Sequence, residues 1–151
     1  VKIQAAQKQQ TFEFQKPDAA FFVKGDRFLL PETVINLLTN AIKYTPDGGR
    51  IEVRLEHKDH EAVFSVKDNG YGIPAEHQEG LFQAFYRVKT KETRGINGTG
   101  LGLHLVKSII ERHGGQMHFQ SEYGKGSTFG FELPLVETPA TQTKKKVNNN
   151  R

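Results

Sequence analysis

The chain has 151 residues, of which 36% are hydrophobic and 25% are charged, a composition typical of one soluble α/β domain with a sizeable core. The net charge of +4 does not indicate nucleic-acid binding, because the excess lies in residues 137–151, whereas residues 1–136 hold 17 basic and 16 acidic groups. The absence of cysteine excludes disulfides, thiolate metal sites and a cysteine nucleophile, and no apolar stretch reaches the length of a membrane span.

The first half of the chain is predicted to combine short strands with one long helix. Residues 1–11 are polar and predict an irregular lead-in, and TFEFQ and AFFVKGD predict two edge strands. Apolar residues at spacings of three and four predict a helix over residues 27–43, with either a start or a kink at Pro31. TPDGG then ends that helix. RIEVRLEHK and EAVFSVKD predict an antiparallel hairpin with its turn at residues 57–61.

The second half is predicted to hold a short helix, a loop, a second long helix and a closing hairpin. DNGYGIP follows the first hairpin directly, and residues 75–87 are predicted to hold a short helical stretch with Leu81, Phe82, Phe85 and Tyr86. KTKETRGINGTG lacks periodicity and predicts a mobile loop, whereas LGLHLVKSIIERHGG predicts a helix that ends at Gly-Gly. QMHFQSE and STFGFELPL predict the closing hairpin, and residues 136–151 predict a disordered tail or a linker.

A polar stripe runs along the long helix predicted in the first half. Glu32, Asn36, Asn40 and Lys43 recur at helical spacing and therefore fall on one side of it. Such a stripe normally faces water, and this remains the alternative. Three further motifs in order favour a binding site instead: DNGYG at the end of a strand, LFQAFYR, and GTGLGL at the start of a helix.

Together with NLLTNAIKY, which contains most of the polar stripe, these motifs resemble the catalytic and ATP-binding domain of bacterial sensor histidine kinases, in the GHKL superfamily. NLLTNAIKY corresponds to the N box of that family, DNGYG to its first glycine box, LFQAFYR to its F box and GTGLGL to its second glycine box. GGQMHFQSEYGKGSTFGFELPL is also similar to the closing hairpin of that family, and the resemblance covers residues 12–135. It implies a Bergerat fold, which is a two-layer α/β sandwich with a mixed, mainly antiparallel sheet and helices packed on one face. It also implies ATP and Mg²⁺ as cofactors.

The resemblance implies that Asp68 recognises the adenine base. A carboxylate only accepts hydrogen bonds, so it can pair with the exocyclic amine of adenine, whereas guanine presents an oxygen there. The alternative role of Asp68 is that of a turn former before Asn-Gly. Gly70 and Gly72 would let the backbone approach the base, and Thr128 matches the threonine that supports the carboxylate in the family. The other residues expected beside the nucleotide here are Tyr44 and Ile73.

The polar stripe and the second glycine box are expected to hold the metal and the phosphates. Asn40 would ligate Mg²⁺ through its amide oxygen, and Asn36 would lie beside the same metal or its water shell. Lys43 would place an ammonium near the phosphates, whereas Glu32 is equally consistent with a solvated surface carboxylate. Amides at a helix N-terminus favour anions. The expected contacts from the glycine box are Gly98, Thr99, Gly100, Leu101 and Gly102, with anchoring of the helix as the alternative role of Leu101.

The loop of residues 88–97 would be the lid over ATP. From Arg87 to Asn97 the net charge is +3, which suits a polyphosphate. Arg87 is the first candidate for the γ-phosphate and Arg94 the second, and a solvated loop is the alternative for the lysines.

Asn36 separates two reaction classes. ATP-hydrolysing relatives such as gyrase, the MutL proteins and the heat-shock chaperone carry a glutamate at this position to activate water, as do the anti-sigma kinases, and an amide cannot act as that base. Asparagine matches the histidine kinases, so the resemblance implies transfer of the γ-phosphoryl group to a histidine. The catalytic candidates are Asn36, Lys43 and Arg87.

The phosphoacceptor is expected outside this chain, because none of the six histidines lies in an HE-x-x-[TN]P context. We expect an ATP-binding fragment, inactive alone, whose dimerisation and phosphoacceptor domain lies upstream in the same kinase. The second expected partner is the receiver domain of a response regulator, with no nucleic acid and no direct membrane contact. The expected location is the bacterial cytoplasm, either free or as the cytoplasmic part of a membrane-bound sensor. Two alternatives remain: a degenerate GHKL interaction module and an ATPase.

Overall fold

The computed structural model describes residues 1–96, 98 and 100–136. Residues 97, 99 and 137–151 lie outside this description, so the predictions for Thr99 and for the tail are not addressed by it. The helices are α1 (Lys2–Gln7), α2 (Leu29–Lys43), α3 (Ala75–Gln78) and α4 (Gly102–Arg112). The strands are β1 (Thr11–Gln15), β2 (Phe22–Val23), β3 (Arg50–Lys58), β4 (Glu61–Asp68), β5 (Gln116–Glu122) and β6 (Gly126–Val136).

Six strands form one mixed sheet in the described part of the chain. The edge strand β1 runs parallel to β3, and β3, β4 and β6 follow as antiparallel neighbours. The outer side of β6 pairs with β5 over most of its length and with the two residues of β2 at its end. Both predicted hairpins and both predicted edge strands are therefore confirmed, and the sheet is mainly antiparallel as expected.

The core lies between one face of the sheet and the two long helices. Alternate residues of the central strands are buried, in accordance with the period-two pattern of their sequences. α2 and α4 pack against each other on this face, which confirms a two-layer α/β sandwich. The largest buried contributors include Leu37 of α2, Ile110 of α4, Ile51, Val66 and Phe131. Within the described residues, no helix combines the length and the apolar character that crossing a bilayer requires.

α2 begins close to Pro31, which confirms the first of the two predicted options, a helix start, and not a kink. Pro31 is the third residue of the helix, where a backbone N–H has no intrahelical acceptor, so the proline costs no helix bond. The Asp26 carboxylate accepts hydrogen bonds from the N–H groups of Phe28 and Leu29, at 2.7 and 2.9 Å. These bonds lower the pKa of Asp26 and fix the start of the helix.

Two local predictions were wrong. The polar start of the chain is not irregular throughout, because residues 2–7 form α1 and bury Ala5, which is 2% exposed, in the core. The short helical stretch predicted within residues 75–87 is confined to Ala75–Gln78 and does not reach the apolar residues 81–86 that were expected in it. Beyond it the chain folds back so that the ring of Tyr86 packs against Gly80, where a Cβ would lie 2.8 Å from a ring carbon. Tertiary packing of the aromatic residues thus overrides the helical spacing.

Candidate functional site

One cavity of about 240 Å³ lies between α2, the end of β4, the loop after Phe85 and the start of α4. The polar stripe of α2, DNGYG and GTGLGL all contribute to its wall, which is the arrangement that the sequence motifs predict. The predicted site residues that line it are Asn36, Asn40, Lys43, Tyr44, Asp68, Gly72, Ile73, Arg87, Gly98, Gly100 and Gly102.

Asp68 is the buried acceptor in this cavity. It ends β4 on the core-facing side of the strand and is only 7% exposed. Burial raises its pKa to about 6, and backbone hydrogen bonds from Gly70 and Ser127 lower the pKa only in part. The bond from the Gly70 N–H to Oδ1 measures 2.9 Å. A carboxylate that has lost most of its water gains from any further hydrogen-bond donor that enters the cavity.

A group of polar side chains holds the loop that follows Asp68. Ser121 Oγ accepts a hydrogen bond from the Ile73 N–H at 2.8 Å and donates to the Gly126 carbonyl at 3.0 Å. The one hydroxyl proton of Ser121 is used in the bond to Gly126. Ser127 Oγ is therefore the donor in its 2.8 Å contact with Ser121 Oγ. Gln78 Nε2 donates to the Ile73 carbonyl at 2.9 Å. The wall around Ile73 is therefore held by β5 and α3, and β6 in turn holds the Ser121 side chain.

The polar stripe of α2 meets the cavity along one edge. Asn36 and Asn40 are half-buried and Lys43 is exposed, whereas Glu32 is exposed and does not line the cavity. Among the described residues, no three histidine or carboxylate side chains cluster as metal ligands. Amide oxygens such as those of the two asparagines suit a hard cation that takes its other ligands from phosphate and water.

The two ends of the predicted lid are joined at Gly100. Its carbonyl accepts a hydrogen bond from the Phe85 N–H at 3.0 Å. The φ angle of Gly100 is 77°, and a Cβ there would lie 2.7 Å from the Phe85 carbonyl carbon. Glycine is thus required both by the backbone conformation and by the close approach of the two chain segments. α4 begins two residues later, at Gly102 in the cavity wall.

The lid is folded over the cavity and bonded mainly to itself. Thr93 is 8% exposed, lines the cavity and donates to the Val88 carbonyl at 2.8 Å. The Arg87 guanidinium donates to the Ile96 carbonyl. A bond to the rest of the domain runs from Tyr123 Oη to Glu92 Oε2, at 2.8 Å, and it raises the pKa of Tyr123 and lowers that of Glu92.

Several predicted site residues are not brought to the cavity wall. Gly70 lies behind it, against the Tyr44 carbonyl, and Arg94 lines a separate pocket within the lid. Leu101 does not line the cavity either, and Thr99 lies outside the described residues. Thr128 points to the other face of the sheet, because strand alternation gives the core-facing position next to Asp68 to Ser127. Ser127, not Thr128, is thus the residue that lies beside Asp68 and donates a backbone hydrogen bond to it.

Other wall residues were not identified from the sequence. Tyr86 is one of them, and its hydroxyl is 2.7 Å from His77 Nδ1. Strand pairing opposite Asp68 could have indicated Ser127, and the helical spacing from Asn36 could have indicated Thr39. The irregular lid gave no such pattern. The remaining wall residues of this kind are Ala41, Leu81, Val88, Thr93, Leu103 and Phe129.

Comparison with known proteins gives a consistent result. The family model of histidine kinase-, DNA gyrase B- and HSP90-like ATPases matches residues 25–137. The chain belongs to this family. The sensor histidine kinase WalK of Bacillus subtilis (strain 168) is 39% identical over 134 residues, which are 86% of this chain and 22% of WalK. The chain spans less than a quarter of the length of the curated relatives it matches.

Solved structures of histidine kinases share the fold of this ATPase-family domain. The mycobacterial sensor histidine kinase MprB superposes with a TM-score of 0.77 at 30% identity, over 91% of both chains. Full-length ShkA, solved in complex with AMPPNP, superposes with a TM-score of 0.76 at 27% identity, over 90% of this chain and 28% of its own. The domain is therefore a histidine-kinase-type catalytic domain in sequence and in fold.

Proposed function

We propose that this domain binds Mg²⁺-ATP in the cavity and transfers the γ-phosphoryl group to a histidine of a dimerisation domain outside this chain. The observation that carries the proposal is the convergence of a buried carboxylate, an edge of amides and an ammonium, and a glycine-rich helix start on one cavity. The likeness to ShkA, which was solved with AMPPNP, supports an adenine nucleotide as the ligand.

Asp68 recognises the base. Its carboxylate accepts a hydrogen bond from the exocyclic amine of adenine, whereas the oxygen of guanine at that position would leave two acceptors facing each other. Burial makes this discrimination effective, because an unpaired acceptor inside the domain cannot turn to water instead. Ile73 and Tyr44 bound the space beside Asp68, and Ser127 supports it through its backbone N–H.

The triphosphate lies between the edge of α2 and the start of α4. Asn40 and Asn36 offer amide oxygens to the cation, and Lys43 adds a positive charge at the same edge. When bound, Mg²⁺ supplies charge neutralisation for the phosphate oxygens. The glycine-rich segment offers backbone amides at the N-terminus of α4, and Arg87, which precedes the lid and lines the cavity, stabilises the γ-phosphate.

Transfer, not hydrolysis, is supported by the residue at position 36. An asparagine cannot remove a proton from water, so the domain offers no general base at the point where its hydrolysing relatives carry one. A neutral imidazole needs no such activation. We propose that the acceptor histidine enters from the dimerisation domain of the same kinase, and that a response regulator receives the phosphoryl group afterwards. A bacterial cytoplasmic location follows from this assignment.

Calorimetric titration with ATP, in the presence of Mg²⁺ and then of a chelator, tests nucleotide binding. We expect a Kd below about 1 mM with Mg²⁺ and weaker binding without it. No binding at millimolar nucleotide would favour the interaction module, and steady phosphate release by this domain alone would favour the ATPase. Addition of a histidine-kinase dimerisation domain in trans should then yield acid-labile phosphohistidine on that domain.

Asp68→Ala tests the recognition of the base. We expect it to reduce the preference for ATP over GTP by at least about tenfold, because the buried acceptor is lost. The matched control is Asp18→Ala, which removes an exposed carboxylate and should leave the preference unchanged. An Asp68→Ala variant with the ATP-to-GTP ratio of the parent would refute the assigned role.

A further inference from the structure

The segment before β1 reaches across the domain to the last turn of α2. Lys8 Nζ donates hydrogen bonds to the carbonyls of Ile42 and Thr45, at 2.7 Å each. Gln10 Nε2 donates to the same two carbonyls, at 3.0 and 2.8 Å. Carbonyls at the end of a helix lack partners within it, so these two side chains act as a long-range cap. We refer to Lys8 and Gln10 as the N-terminal clamp.

The N-terminal clamp is itself held in place. Gln10 is 8% exposed, and α1 is anchored in the core by Ala5, which is 2% exposed. The Gly48 N–H donates to the Lys8 carbonyl at 2.9 Å, and the Gln10 N–H donates to the Ala5 carbonyl at 3.0 Å. In addition, the charge of Lys8 is stabilised at the negative end of the α2 dipole. Because the chain that carries Lys8 and Gln10 is anchored in this way, their donor groups can define the position of the last turn of α2.

The capped turn also belongs to the nucleotide cavity. Lys43 and Tyr44 lie between the two capped carbonyls, and both line the cavity. The Tyr44 carbonyl accepts a hydrogen bond from the Tyr71 N–H at 3.1 Å. A Cβ at Gly70 would collide with this same carbonyl. The turn thus connects the N-terminal clamp on one side with the adenine-binding loop on the other.

We infer that Lys8 and Gln10 are positioning residues for nucleotide binding, although neither lines the cavity. They act through the last turn of α2, which sets Lys43 and Tyr44 relative to the loop around Gly70. This inference rests on the proposed function. A displacement of α1 weakens nucleotide binding, and by thermodynamic linkage the bound nucleotide must hold α1 more firmly. The first ten residues are therefore an element through which nucleotide affinity can be regulated.

Lys8→Met tests the inference, because methionine keeps the length of the side chain and removes the donor. We expect the Kd for Mg²⁺-ATP to rise by about tenfold, as for the loss of a charged hydrogen-bond donor. Lys2→Met is the matched control, since it removes the same charge from an exposed position of α1 and should change the Kd less than about twofold. Lys8→Arg, which keeps a charged donor, should recover part of the affinity.

Hydrogen exchange in the parent protein provides a readout that needs no variant. Mg²⁺-ATP should slow amide exchange in residues 2–10 as well as in residues 68–73, which a merely structural cap would not require. The inference is overturned if ATP protects only residues 68–73, or if folded Lys8→Met binds ATP as tightly as the parent. If the parent itself bound no nucleotide, the proposed function would fail first, and that result is distinct from either of these.

Discussion

The floor of the cavity and the lid above it are built in opposite ways. The floor, residues 68–73, is bonded to three separate parts of the domain. Asn69 Oδ1 accepts from the Arg50 N–H of β3 at 2.7 Å, Tyr71 is bonded to the end of α2, and Ile73 is bonded to β5. The lid, of which residues 88–96 are described, is stabilised largely by bonds among its own residues, such as those of Thr93.

This difference separates two properties of the site. A floor that is bonded to the sheet and to α2 has its acceptor in place before a nucleotide arrives, so we expect it to contribute to affinity and to base selection. A lid held mainly by local hydrogen bonds is expected to open at a low cost in free energy and so to control how fast nucleotide enters and leaves. Substitutions in the floor should therefore change stability and Kd, whereas substitutions in the lid should change rates.

The largest effect is expected from Gly70→Ala in the floor. The added Cβ would collide with the Tyr44 carbonyl and would lie 2.9 Å from Asp68 Oδ1 and 3.0 Å from the Thr45 Cα. Because these neighbours are buried backbone and a buried carboxylate, the substitution should lower the free energy of unfolding by about 3 kcal/mol. Urea denaturation of the nucleotide-free domain measures this change.

The matched control is Gly95→Ala in the lid. A Cβ at Gly95 meets no atom within 4 Å, and its φ angle is not among the positive ones. We expect its unfolding free energy to stay within about 0.5 kcal/mol of the parent. Equal losses of stability in the two variants would show that the floor and the lid are not constrained differently.

A pH-dependent effect of similar or smaller size is expected from Asp68. Its pKa is about 6 in the folded domain, compared with 3.8 for an unperturbed aspartate. Because the unfolded chain releases this proton first as the pH rises, the carboxylate lowers stability progressively between pH 4 and pH 6 and fully above that range. The resulting cost is on the order of 3 kcal/mol at neutral pH.

Asp68→Asn isolates this contribution, because an amide keeps an acceptor for the Gly70 N–H but does not ionise. We expect the variant to gain stability relative to the parent as the pH is raised from 4 to 7.5, with the gap in unfolding free energy growing by about 2–3 kcal/mol. Denaturation curves at several pH values measure the gap. A gap that did not change with pH would mean that the carboxyl group is not desolvated in the folded domain.

The sequence predicted the floor better than it predicted the lid or the N-terminal clamp, for physical reasons. Helical spacing is a local rule and was sufficient to group the asparagines of α2 on one side of the helix, whereas the motif resemblance implied that Asp68 shares their site. The clamp depends on Lys8 and Gln10 meeting carbonyls 32–37 residues away, and no local pattern records such a contact. The sequence also predicted Thr128 beside Asp68, whereas the residue found there is Ser127. Even within a predicted strand, the pairing register must be known before a residue can be assigned to a face.

The smallest effect is expected from Tyr123→Phe, which removes the hydrogen bond between the hairpin turn and Glu92 of the lid. Both side chains are accessible to water, so loss of the bond should change the unfolding free energy very little. Because it ties the lid to the turn beside Tyr71, we expect dissociation of a fluorescent ATP analogue to be about two- to fivefold faster.

Stopped-flow displacement measures this rate, and a double-mutant cycle with Glu92→Ala, which removes the acceptor, identifies its cause. Each single substitution breaks the same bond, so the double variant should release nucleotide no faster than Tyr123→Phe alone. Additive accelerations would instead mean that the two side chains act independently. Unchanged rates in both variants would show that this contact does not hold the lid, and the division between an affinity-setting floor and a rate-setting lid would then lose its support on the lid side.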